Sequence, residues 1–171
     1  FITDPKGQIF NTTSKMFKDN GYNVLTHDLR HPEMSNHFNI LERIIKEYEK
    51  YIDYEKKSIV SKKDKVKFNN LAMTSLAETN RLITSLATMI MQEKTQQKDP
   101  FWNNSARNLL EGLIGFFLEE YKKNNIKRNQ ITMTSIRKFQ NSSMQEKNFN
   151  KFKTYIDRKD YGSKSKDSLT S

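Results

Sequence analysis

The chain has 171 residues, 35% of them hydrophobic and 29% charged, and a formal net charge of +10. That length suits one compact domain with a real core plus a smaller piece. The absence of cysteine excludes disulfides and thiolate metal sites. No apolar run approaches the ~20 residues that a membrane-spanning helix needs; the longest, 109–118, contains Glu111 and reads as a buried core helix.

In chain order, Phe1-Ile2-Thr3 is a bare apolar strand that runs into the turn Asp4-Pro5-Lys6-Gly7. Ile9, Phe10, Thr13, Met16 and Phe17 then repeat at helical spacing, and Gly21 is the C-terminal stop. Tyr22-Asn23-Val24-Leu25-Thr26 is the next strand, expected to pair in parallel with the first. Strand, helix and strand in this order predict a βαβ unit of a nucleotide-handling sheet, with the loop after the first strand facing the ligand. With no initiator Met and a strand at its head, the chain reads as a piece of a larger protein. A polar loop over 28–36, containing Pro32, closes this part near residue 38.

From about Asn39 the periodicity becomes helical. Ile40, Leu41, Ile44, Ile45, Tyr48 and Ile52 mark one amphipathic helix, and Lys56 to Lys67 reads as a charged loop or helix end. A long helix from about Phe68 to Glu93 carries Leu71, Leu76, Leu82, Ile83, Leu86, Met89 and Ile90, with Ala72, Ala77 and Ala87 permitting close packing. Its neighbourhood holds Met73, Met89 and Met91, which at helical spacing read as core rather than as an adaptable surface. Asp99-Pro100 is a helix start: Asp caps free amides, and Pro at the first helical position lacks only an amide that would go unpaired. The helix behind it, Phe101 to Lys123, is apolar on most sides and contains Gly112 and Gly115. Each glycine costs about 1 kcal/mol in a helix interior, which implies a second helix backbone close by. This helix and the one from Phe68 are expected to be the core pair. Thr132 caps a further helix with Met133, Ile136 and Phe139 inward, and Phe149, Phe152, Tyr155 and Ile156 stripe a last, basic one. The predicted fold is mainly α, a helical bundle with a small N-terminal βαβ segment. Its domains are 1–38, a partial α/β nucleotide-binding segment; 39–160, an all-α domain; and 161–171, a flexible basic tail.

Catalytic constellations are missing from the sequence. A phosphate-gripping loop needs closely spaced glycines before Lys-Ser/Thr, and the five glycines stand at 7, 21, 112, 115 and 162. No apolar strand ends in Asp-Glu to hold magnesium, and nothing places Ser, His and Asp as a triad. His27, His31 and His37 lack helical pairing and a matching carboxylate, so they read as loop histidines and not as metal ligands. No catalytic residue, metal or cofactor is therefore expected in this segment. The charge is more informative. Residues 1–120 carry 17 basic and 16 acidic side chains, whereas 121–171 carry 13 and 4. Such a block is an electrostatic footprint for nucleic acid or an acidic protein; the alternative is a lysine-rich end that serves only solubility.

Three segments carry a family likeness. Ile2-Thr3-Asp4-Pro5-Lys6-Gly7 is similar to an Asp-Pro-Lys-Gly-Glu motif, with Gln8 in place of Glu. Leu29-Arg30-His31-Pro32-Glu33, followed by Phe38-Asn39-Ile40-Leu41, is similar to a Leu-Arg-Asp-Pro … Trp-Asn-Pro-Leu stretch, with His31, Phe38 and Ile40 as departures. Asp99-Pro100-Phe101-Trp102 is similar to an Asp-Pro-Phe-Trp motif at the head of a long apolar helix. In this order the chain resembles the coupling-protein ATPases of type IV secretion and conjugation, the TraG-type DNA-transfer proteins. The resemblance covers residues 1 to about 120. It implies a parent that is membrane-anchored, homohexameric and driven by a RecA-like motor using ATP and magnesium. This segment would lie at the cytoplasmic face of the bacterial membrane. An all-α domain inserted in that motor recognises relaxosome proteins (relaxase or accessory factor) and DNA, and the parent contacts the secretion channel. The phosphate loop and acidic strand would lie outside this chain.

Two groups of residues become site candidates. Asp4 and Lys6, at the end of the first strand, would face nucleotide or a neighbouring subunit; the plainer reading is a solvated turn. Lys122, Lys123, Lys127, Arg128, Arg137, Lys138, Lys147, Lys151, Lys153, Arg158 and Lys159 would contact DNA or an acidic partner. Phe101 and Trp102 could stack on bases but, inside the start of an apolar helix, read as packing residues. Two rival readings are a motor fragment serving mainly hexamer assembly, and an unrelated helical DNA-binding or adaptor domain. The latter lacks a helix-turn-helix signature.

Overall fold

The computed structural model describes residues 2–28, 30, 31, 33, 35, 36, 38–61, 63–91 and 101–143. Backbone contacts divide the chain into two compact units, Phe1–Phe38 and Asn39–Ser171.

The first unit holds one helix, α1 (Gln8–Asp19). The Gly7 amide bonds the Asp4 carbonyl at 3.2 Å, and Gly7 sits at φ 74°, left-handed backbone that a side chain would strain. Gly21, at φ 82°, ends α1 as the sequence indicates: its amide bonds the Lys18 carbonyl, and that of Tyr22 bonds Phe17.

The predicted βαβ segment is not formed. No strand occurs among the described residues; residues 22–28 run extended without a ladder, and Phe1 lies outside the described residues. The physical reason is burial. Parallel strands are stable where both faces are covered, and no described side chain in this unit is buried; Ile2, Tyr22 and Leu25 are each more than 60% exposed. The polar bonding groups are taken up locally instead. Thr26 accepts from the Asn36 amide and donates its own amide to Asn36 Oδ1, while Asp28 Oδ1 accepts the amides of Arg30 and His31.

The second unit contains α2 (Glu42–Val60), α3 (Lys65–Met91), α4 (Phe101–Lys122), a 3₁₀ turn (Arg128–Gln130) and α5 (Met133–Ser143). The stretch from Lys56 to Lys67, expected as a loop or helix end, holds the end of α2 at Val60 and the start of α3 at Lys65, with residues 61–64 as the connection. The most extensive helix packing is between α2 and α3, with α4 against α3 next, so the expected α3–α4 pair shares the core with a tighter α2–α3 hairpin. Small buried side chains on α3 (Ala72, Ser75, Thr79) allow the close approach.

Leu41, Ile44, Ile45 and Tyr48 from α2, Ile83, Leu86 and Ala87 from α3, and Leu113, Ile114 and Leu118 from α4 form one core with Ile131 and Ile136. Gly112 is buried and Gly115 half-buried, so neither faces open solvent. Met73 and Met89, read as core, are exposed by 66% and 63%. Asn124, at φ 59°, ends α4 in left-handed backbone, a position Asn tolerates. Thr132 caps α5 as expected: its Oγ1 accepts the Ser135 amide at 3.1 Å. Phe139 of α5 stacks on Phe116 of α4 with ring centroids 5.1 Å apart. Asn39 locks the entry to α2, donating to the Ile131 carbonyl at 2.8 Å while its Oδ1 accepts the Leu41 amide. No helix among the described residues is long and apolar enough to cross a membrane. The Asp99-Pro100 cap, the side chains of Phe101 and Trp102, the last basic helix and the 161–171 tail lie outside the described residues.

Candidate functional site

The basic cluster divides in two. Arg128, on the 3₁₀ turn, donates through both terminal guanidinium nitrogens to Glu42 (3.2 and 2.9 Å) and through Nε to Glu49 Oε1 at 2.9 Å. Glu42 and Glu49 lie seven residues apart on α2, about two turns, so both face one guanidinium. Hydrogen bonding by Arg128 holds the Glu42 carboxyl below the usual carboxylate range. The bonds to Glu42, then to Glu49, raise the guanidinium pKa still further. Tyr121 joins the group by donating to Glu49 Oε1 at 2.9 Å.

Lys122 makes a second clasp one end further along α2. Its Nζ lies 2.6 Å from Glu55 Oε2, donates to the Tyr51 hydroxyl at 2.9 Å and sits 4.6 Å from the Tyr51 ring centroid. Partial burial works against this ammonium, yet the bonds to Glu55 and Tyr51 outweigh it and raise its pKa. Both clasps tie the end of α4 and the following turn to α2. They are ion pairs within the unit, so Arg128 and Lys122, both candidates for the contact surface, already meet carboxylates of α2. The signal was available: Glu42 and Glu49 stand at a helical two-turn repeat.

The other cations point outward. Lys127, Arg137 and Lys138 are exposed, and no carboxylate pairs with them among the described residues. Lys123 is also exposed, and its amide closes the last turn of α4 on the Glu119 carbonyl. Lys147, Lys151, Lys153, Arg158 and Lys159 lie outside the described residues. In the other unit, Asp4 Oδ2 accepts the Phe10 amide at 2.8 Å and so satisfies an open donor in the first turn of α1. Lys6 is exposed on the turn. No cluster of three or more metal-ligating side chains occurs among the described residues.

The family model of the type IV secretory system conjugative DNA transfer proteins matches residues 1–167. The chain belongs to that family. It is thereby placed in type IV secretion and conjugative DNA transfer. Neither a curated protein nor a solved structure shows significant similarity to this member of the conjugative DNA transfer family.

Proposed function

We propose that residues 39–160 of this conjugative DNA transfer protein are the substrate-recognition domain of a coupling protein, recruiting relaxosome proteins and DNA for export. In this reading residues 1–38 belong to an ATP- and magnesium-dependent hexameric motor, and 161–171 form a basic tail. The parent is anchored so that this domain sits at the cytoplasmic face and hands cargo to the secretion channel.

The observation that carries the reading is the division of the cations. A self-contained helical unit commits Lys122 and Arg128 to internal clasps and leaves Lys127, Arg137 and Lys138 on its surface. Exposed cations on a rigid helix and turn can neutralise phosphates or pair with carboxylates without cost to the core. A pull-down with the purified chain against relaxase, accessory protein and single-stranded DNA tests it. Capture of any of these, weakened by Arg137→Gln with Lys138→Gln, supports recognition; capture of none at low salt refutes it.

A further inference from the structure

The tip of the α2–α3 hairpin breaks two local rules at once. Ile59, Val60 and Val66 are exposed by 78%, 83% and 74%, although they are large and aliphatic. They flank residues 61–64, the last turn of α2 on one side and the first turn of α3 on the other. Around them the sequence between 56 and 67 carries six lysines and one aspartate. Lys57 is paired with Asp53 at 2.6 Å, and Asp64 is exposed in the connection. Lys56, Lys63, Lys65 and Lys67 are exposed and meet no carboxylate among the described residues.

The placement of the lysines is unfavourable for the helix itself. Asp64, whose carbonyl accepts the Phe68 amide, is the one acidic residue at the start of α3; the first turn itself contains Lys65 and Lys67, where the open amides and the helix dipole favour negative charge. Apolar surface in water and cations at a positive helix end are each costs to the isolated domain. An acidic surface bearing apolar side chains relieves both together.

From this charge and shape we propose that the hairpin tip is a docking site for an acidic, amphipathic polypeptide segment. Its carboxylates would meet Lys63, Lys65 and Lys67, and its apolar side chains would cover Ile59, Val60 and Val66. Residues 55–67 contain neither an aromatic side chain nor an arginine, and the aromatic residues that bound them, Tyr54 and Phe68, are half-buried. The tip therefore has no platform on which bases stack and no fork for base edges. It also lacks the Trp and Tyr that anchor a surface among lipid headgroups. These absences favour a polypeptide over nucleic acid or membrane.

The inference deepens the recognition reading by naming a partner chemistry, and the two fail separately. The probe is a fluorescein-labelled amphipathic peptide of glutamate and leucine, about five turns long, titrated with the full chain and followed by anisotropy. Binding is expected to weaken about tenfold in Lys63→Glu/Lys65→Glu/Lys67→Glu and about fivefold in Ile59→Ser/Val60→Ser/Val66→Ser, as loss of rim charge and of a small apolar anchor would give. Circular dichroism at 222 nm monitors the fold, and Ile59→Ser alone replaces the triple variant if helicity falls. Absence of peptide binding, or binding that neither set of substitutions alters, overturns the proposal. So does a tip-dependent affinity for oligothymidine or phosphatidylglycerol vesicles that the peptide does not share. A wild-type chain that binds the peptide but captures no cargo would remove the recognition reading and leave the tip assignment standing.

Discussion

Replacing Arg128 by Ala separates a structural cation from a contact cation. The side chain makes three charged hydrogen bonds to two carboxylates, and its burial is partial: Arg128, Glu42 and Glu49 are 41%, 37% and 32% exposed. Solvent screening at that exposure rules out the value of a buried pair. Exposed pairs contribute 0.2–1 kcal/mol each, and the two-pronged contact to Glu42 belongs at the upper end, so the loss is about 1–1.5 kcal/mol. For a domain of this size each 1 kcal/mol lowers the melting midpoint by about 4 °C. Urea unfolding of the full chain followed at 222 nm measures the change. A double-mutant cycle with Glu42→Gln should show coupling of about 0.5–1 kcal/mol, and the effect should shrink as salt rises. Affinity for single-stranded DNA should stay the same. Unchanged stability together with weaker DNA binding would refute the clasp and return Arg128 to the contact surface.

Glu42 gives the pH dependence. Its folded pKa is depressed, so its stabilisation is fully present above its ordinary value of 4.5 and is lost as the pH falls through the lower folded value. The stability gap between wild type and Glu42→Gln, read by urea titration, should close over that acid range and stay constant from pH 6 to 8. Ile114→Ala, at a fully buried position of α4, should cost about 2–5 kcal/mol because it removes methylenes and leaves a cavity between three helices; a loss below about 1 kcal/mol in denaturant titration would mean that the core is placed elsewhere. If the basic residues of the last third bind single-stranded DNA, affinity should be largely independent of sequence and fall with salt at a log–log slope of about −0.7 per phosphate contact. Gln at Arg137, Lys138, Lys147, Lys151 and Lys153 should make that slope shallower without altering helicity, and an unchanged slope in fluorescence titrations would point to an acidic protein partner instead.

The helices of the second unit were legible in the sequence because their signals are local. Apolar side chains at three- and four-residue spacing predict α2, α3 and α4, and Thr132 before Met133 predicts the start of α5. The turn from Asp4 to Gly7 and the stop at Gly21 were equally local, each resting on backbone that glycine adopts freely. The family too could be recognised from short motifs in order. The second strand and its pairing could not, since a β-prone run becomes a strand only when distant segments bond and cover it. Tyr22 and Leu25 have no such cover in this structure.

Charge shows the same division. The amino-acid sequence by itself determined that the last third of the chain is basic and that α2 carries Glu42, Glu49 and Glu55. Tertiary structure alone decided which cations meet those carboxylates. Folding brings the end of α4 and the 3₁₀ turn against α2, so Lys122 and Arg128 become internal ion pairs while Lys127, Arg137 and Lys138 remain in solvent. A count of charges is a property of composition, but an ion pair needs two side chains within about 4 Å. Only the packing of one helix on another sets that distance.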